Sequence, residues 1–190
     1  MLKKQPDFKP ARVLFLDIET APNLGFCWGK WEQNIIDFKR HWFMLSFSMK
    51  WQGERSAHTF VLPDFRGYVS NKEDDSRLVT KLWEVMDEAD VIVAHNGDRF
   101  DVRKSNARFV THGLTPPSPY KTVDTLKTAR RVFRFSSNKL DDLGSQLQVG
   151  RKIDTGGIPL WKKCIENDPK AWAKMKRYNA QDVLLLERVY

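Results

Sequence analysis

Val13-Leu14-Phe15-Leu16-Asp17-Ile18-Glu19-Thr20 decides how the rest of the chain is read. Four apolar residues without a polar break fit a strand buried on both faces of a sheet. Strand side chains alternate in direction, so Asp17 and Glu19 share one face. Two carboxylates this close repel each other and need a reason to sit at the end of a buried strand. Two readings are open from this stretch alone. The strand runs into an acidic, solvated turn, or it supplies one half of a divalent-cation site.

Outward from this strand, 190 residues are enough for one domain, residues 1–190, with a sizeable core. Seven Trp and twelve Phe promise a packed protein with aromatic surface to spare. No run of apolar residues is long enough for a membrane span. The basic leader Met1-Leu2-Lys3-Lys4 lacks the apolar segment of a secretory signal, so a cytoplasmic location is expected. Cys27 and Cys164 stand far apart and outside any CxxC context, which reads as two reduced thiols. Net charge is +8, and the excess is concentrated. Residues 121–177 hold fourteen Lys and Arg against six Asp and Glu, while the remainder carries eighteen of each. Such a face suits a polyanion, although a merely solvated surface would look the same.

After the first strand, Ala21-Pro22-Asn23-Leu24-Gly25 turns the chain, and residues 26–42 fit no regular pattern. Residues 43–51 alternate as a strand with one buried face, turn at Gln52-Gly53, and return through residues 57–62. Residues 63–68 read as a loop. Helical spacing follows over residues 76–86, then a second buried strand over 91–95 and a helix over 99–112. A brief strand at 121–125 leads into helices at 126–133 and 139–147. Residues 148–158 form a Gly-rich basic loop, and a short helix is expected at 159–165. Asp168-Pro169 caps a long last helix to about Tyr190. A strand hairpin followed by alternating strands and helices predicts an α/β fold with a mixed sheet of about five strands.

Four acidic residues recur where such sheets gather their sites, at strand ends and the helix starts that follow. Asp17 and Glu19 close the first strand, Asp101 follows the second buried strand, and Asp182 lies in the last helix. Tyr178 and Asp182 are four apart and share a helix face. Four carboxylates in one cleft call for cations, and an all-oxygen donor set suits Mg²⁺ or Mn²⁺. No His/Cys spacing of the zinc type occurs. Two such ions can clamp the attacking and leaving oxygens of a phosphodiester. Beside a basic surface, this chemistry points to nucleic acid.

The chain resembles the DEDD exonucleases of the ribonuclease H-like fold, including the proofreading domains of family B DNA polymerases. Asp17-Ile18-Glu19-Thr20 matches their first motif, Asn96-Gly97-Asp98-Arg99-Phe100-Asp101 the second, and Tyr178 through Asp182 the third. Arg177 stands where the histidine branch would carry its histidine, so the resemblance is to the tyrosine type. Asp124-Thr125 and Lys139-Leu140-Asp141-Asp142-Leu143 are similar to segments between the second and third motifs. The likeness runs over residues 11–190 with no polymerase region following, as in a stand-alone exonuclease of the phage type acting in a host cytoplasm.

The resemblance implies catalytic roles for Asp17, Glu19, Asp101, Tyr178 and Asp182, the four carboxylates holding two divalent cations. It implies that Asp17 bridges both ions, Glu19 and Asp182 hold the hydroxide-generating one, Asp101 holds the other, and Tyr178 orients the water. Thr20, Asn96, Phe100 and Lys139 are candidate substrate contacts. Asp124 is either a support for the site or a helix cap, and His95 reads as packed at its strand end. Trp28, Trp31, Trp42 and Trp51, with Lys30, Lys39, Arg40 and Lys50, either stack single-stranded bases or pack an inserted hairpin within residues 24–68 against the sheet. The implied activity is 3′–5′ hydrolysis of DNA at single-stranded or frayed ends, releasing 5′-mononucleotides. The alternatives are the same chemistry on RNA and a non-catalytic binding module. A monomer without membrane contact is expected, with a polymerase or a replication or recombination protein as a possible partner.

Overall fold

The computed structural model describes residues 9–31 and 34–190; the leader at residues 1–7 lies outside them. Seven strands and six helices follow the chain as β1 (Val13–Thr20), β2 (Leu24–Phe26), β3 (Asp37–Arg40), β4 (Met44–Trp51), β5 (His58–Val61), α1 (Ser76–Asp87), β6 (Val91–Ala94), α2 (Asp101–Thr111), β7 (Lys121–Asp124), α3 (Thr125–Val132), α4 (Leu140–Gln146), α5 (Ile158–Ile165) and α6 (Pro169–Val189). Five strands form the main sheet in the order β5-β4-β1-β6-β7. β1 is its central strand, antiparallel to β4 and parallel to β6, which pairs in parallel with β7. The expected mixed sheet is therefore present, with the acidic stretch at its centre.

Burial explains why β1 is central. Leu14, Leu16 and Ile18 enter a large core with Leu78, Leu82 and Met86 of α1 and Phe109 of α2. Phe15 points the other way, into a smaller cluster with Val93, Leu140, Val183 and Leu186. Alternation then puts Asp17 and Glu19 on the face of Phe15, the one α4 and α6 cover. β4 differs from its expected half-buried pattern, because Met44 through Lys50 are all buried. α6 accounts for this. Ser46 donates to Asn179 of α6 at 3.0 Å, and Lys50 pairs with Glu187 of the same helix. Polar alternation in β4 marks a second buried interface rather than a solvated face.

The stretch without a pattern, residues 26–42, holds part of a separate two-stranded hairpin of β2 and β3. The close approach of its strands explains Gly25, where a Cβ would lie 2.5 Å from Ile35 Cγ2. Within the wider segment 24–68, β4 and β5 belong to the main sheet and β2 and β3 form the separate hairpin. In the loop expected at 63–68, a 3-10 turn at Leu62–Asp64 leads to the buried Tyr68.

The helix starts follow their sequence signals. Asp124 caps α3 by accepting from Leu126 N and Lys127 N, and Asp168 caps α6 in the same way from Lys170 N and Ala171 N. Gly97 sits in the β6–α2 turn, where a Cβ would meet that of Ala94 at 2.4 Å. That turn fixes where α2 begins, and Asp101 is its first residue.

Candidate metal centre

β1 ends with Asp17 and Glu19 at the carboxyl edge of the sheet, α2 opens there with Asp101, and α6 crosses with Tyr178 and Asp182. Carboxylate oxygens of Asp17, Glu19 and Asp182 all lie within 4.8 Å of one another. Asp101 is anchored beside them, its Oδ1 accepting from Ile18 N at 3.0 Å. Residues from three distant parts of the chain thus converge. Asp182 Oδ2 lies 2.6 Å from Lys152 Nζ. One ammonium for four clustered carboxylates leaves a shortage of positive charge.

Electrostatics point the same way. Burial first, and then the charges of Asp101, Asp182 and Glu19, raise Asp17 well above the usual carboxylate range. Burial and the nearby Asp182 push Glu19 up to about 8. Burial raises Asp101 to about 7, against hydrogen bonds that stabilise its charged form. Asp182 is raised by burial despite its partner Lys152, whose Nζ lies 2.6 Å from Oδ2. The cluster therefore resists full ionisation on its own, and it is composed only of hard oxygen donors. Both properties fit a hard divalent cation such as Mg²⁺ or Mn²⁺. Burial also raises Tyr178, and the surrounding carboxylates add to this, so its hydroxyl stays protonated at neutral pH.

Three residues that the sequence did not single out hold this centre. Asn179, fully buried, donates Nδ2 to Asp17 Oδ2 at 2.5 Å while its Oδ1 accepts from Ser46. Trp161 donates Nε1 to Glu19 Oε2 at 3.2 Å and packs edge-on against the Tyr178 ring. Lys152 comes from the basic loop 150–157, beyond the reach of any local pattern. Burial alone would lower its ammonium, but Asp182, Asp17 and Glu19 outweigh that and raise it. The signal available for Asn179 was its place one residue after Tyr178 on a helix whose neighbouring face is apolar.

The other candidates separate. Thr20 ends β1 and lines a groove with Trp42, Lys104 and Trp161. Asn96, with a left-handed φ of 67°, and the half-exposed Phe100 flank the β6–α2 turn. Asp124 serves as a cap and also accepts from Asn96 N and Asp98 N, bracing that turn. Lys139 is exposed at the start of α4, in a pocket with His95 and Arg130, and is not part of the carboxylate cluster. His95 is held through both ring nitrogens, by Thr125 Oγ1 and Asn138 O, and burial lowers its basicity. It is packed, as expected. The Trp/Lys set disperses. Lys50 pairs with Glu187 in the core, Trp51 lies under Arg12, and Trp28 is 90% exposed on the hairpin side. Trp42 belongs to the groove.

Three comparisons bear on this architecture. A family model described as RNase_H superfamily matches residues 54–190, which include Asp101, Tyr178 and Asp182. The chain is similar to a DNA polymerase III PolC-type of Ureaplasma parvum, 33% identical over 82 residues. That match covers 43% of this chain and only 6% of the relative. In structure it is similar to the family B DNA polymerase of the hyperthermophilic archaeon Pyrobaculum calidifontis, with a TM-score of 0.68 at 18% identity. The superposition covers 95% of this chain and 24% of that one, a likeness of fold. With the family match spanning well over half of its length, the chain belongs to the RNase_H superfamily.

Proposed function

We propose that the chain is a metal-dependent 3′–5′ exonuclease of the tyrosine type that shortens DNA from its 3′ end. The observation that carries this reading is the meeting of Asp17, Glu19 and Asp182 oxygens within 4.8 Å at the end of a buried central strand. Support comes from the order of the three motifs, the basic excess of residues 121–177 and the superfamily assignment. The choice of DNA rests on the DNA polymerases to which the chain is similar.

Divalent cations held by Asp17, Glu19, Asp101 and Asp182 would activate a water at neutral pH and neutralise charge on the phosphodiester. The chain's own groups do the positioning. Asn179 locks the Asp17 carboxylate and Trp161 locks that of Glu19, so both ligands are preorganised rather than recruited. Tyr178 keeps its proton and can hold the attacking water by its hydroxyl. Lys152 pairs with Asp182 and would present its ammonium to a phosphate oxygen of the substrate.

Digestion of 5′-labelled DNA and RNA oligonucleotides with Mg²⁺ or Mn²⁺, beside an Asp182→Ala control, tests the reading. A ladder shortening from the 3′ end of DNA, absent in the control, is expected. A ladder on RNA alone would move the substrate class. Tight binding without cleavage under either metal would leave a binding module.

A further inference from the structure

We infer that the groove between α3 and the β6–α2 turn holds phosphodiester backbone away from the end being hydrolysed, as a second contact for nucleic acid; this rests on the nuclease reading. The groove measures about 630 Å³ and is lined by Arg99 on the turn and by Lys127, Arg130 and Arg131 on α3. β1, β6 and β7 run parallel, so their carboxyl ends share one edge of the sheet. The metal centre lies at the end of β1, and this groove lies at the ends of β6 and β7. β7 stands two strands from β1, about 10 Å at the usual spacing. At about 3.4 Å of axis per phosphate, a strand that ends at the centre reaches the groove about three nucleotides in.

Charge makes the groove more than a solvated face. Lys127, Arg130 and Arg131 are spaced to share one stripe of α3, while Thr125 and Ala129 of the same helix are buried. Arg99 comes from a different element and lines the same concavity. Among the described residues, none of these three arginines makes an ion pair or a side-chain hydrogen bond. The two carboxylates in the groove are already engaged. Asp98 pairs with Lys127, and Asp124 accepts from the main-chain N–H groups of Asn96, Leu126 and Lys127. Three unpaired guanidinium groups gathered in one concavity repel one another, and an anion relieves that repulsion. A guanidinium also matches phosphate oxygens two at a time. No aromatic side chain of the described residues lines the groove, so it offers bases nothing to stack on. It is a grip on backbone, and such a grip carries no sequence preference.

The test compares wild type with the doubly substituted Arg130→Gln, Arg131→Gln and with a control, Arg55→Gln, Arg66→Gln. The control removes the same charge beside β5, at the opposite edge of the sheet. All four arginines are exposed, so both variants should fold. Binding of a labelled fifteen-nucleotide single strand is read by fluorescence anisotropy in chelator, which suppresses cleavage. The groove variant should bind roughly tenfold more weakly, and its slope of log K against log salt should shrink by about 1.4, two phosphate contacts at about 0.7 each. The control should follow wild type in both. A trinucleotide, too short to reach the groove, should be hydrolysed by the groove variant with the kcat/KM of wild type. The same fifteen-nucleotide strand, annealed so that only its last three nucleotides are unpaired, identifies the strand that is held. Loss on the single strand assigns the groove to the strand being shortened, and loss on the duplex alone assigns it to the complementary strand. No loss on either substrate, a loss shared by the control, or an equal loss on the trinucleotide would overturn the inference. Because binding is read without metal, the result stands even for a protein that cleaves nothing.

Discussion

Two buried acidic centres lie in this domain, and they are built on opposite principles. Asp75, at the start of α1, is fully buried and fully met. Met44 N donates to its Oδ2 at 2.7 Å, His112 Nε2 lies 2.7 Å from Oδ1, and the Arg108 guanidinium pairs with the same oxygen. One carboxylate there has three partners, and it ties β4 to α2. At the carboxyl end of β1 the ratio is reversed, with four carboxylates against Lys152 and a few neutral donors. The first arrangement is a brace complete in itself. The second is held together by the surrounding fold and carries more carboxylates than ammonium groups.

Substitutions should break this comparison in opposite directions. Asp182→Ala removes a cation ligand, and hydrolysis of labelled DNA should fall by roughly 10³-fold or more, the scale of several kcal/mol of transition-state stabilisation. Asp75→Ala leaves the half-buried Arg108 without its carboxylate and Met44 N without an acceptor, and should cost about 3 kcal/mol in denaturant-induced unfolding. Loss of activity there should follow loss of fold. Tyr178→Phe should retain folding and metal binding yet lower turnover roughly 10²-fold, because only the hydroxyl is removed. A single-turnover rate equal to wild type would take Tyr178 out of the mechanism. Asp182→Asn sharpens the contrast further. In chelator at about pH 8 it should raise the melting temperature, since burial disfavours the ionised form of this group in the folded chain.

The same contrast explains how much the sequence revealed. β1, the carboxylates of Asp17, Glu19, Asp101 and Asp182, and the caps at Asp124 and Asp168 announce themselves through local patterns: apolar runs, strand ends and N-cap residues. The partners that hold the centre do not. Asn179 reaches Asp17 across 162 residues, and Trp161 reaches Glu19 across 142. Asn179 shows only its place beside Tyr178 and Trp161 shows nothing, because the contacts exist only once α6 and α5 have packed on the sheet. β4 misled for the same reason, its polar alternation answering α6 rather than water. Lys139 and Lys152 both lie in the basic stretch 121–177, and only tertiary packing brings Lys152, and not Lys139, to Asp182.

The central claim is that the β1 carboxylates form a centre completed by a divalent cation, and thermal melting against pH tests it most directly. Burial holds the Glu19 proton up to about pH 8 in the folded chain, against an ordinary value of 4.5. Between those two values the folded state binds more protons than the unfolded one, so stability must fall as pH rises through that window. The melting temperature in chelator is therefore expected to drop between about pH 5 and about pH 8, and Mn²⁺ should restore it most strongly at the upper end. Asp182→Asn should lose most of the Mn²⁺ response. A melting temperature that stays flat or rises in chelator, with an Mn²⁺ shift equal in wild type and Asp182→Asn, would contradict the account.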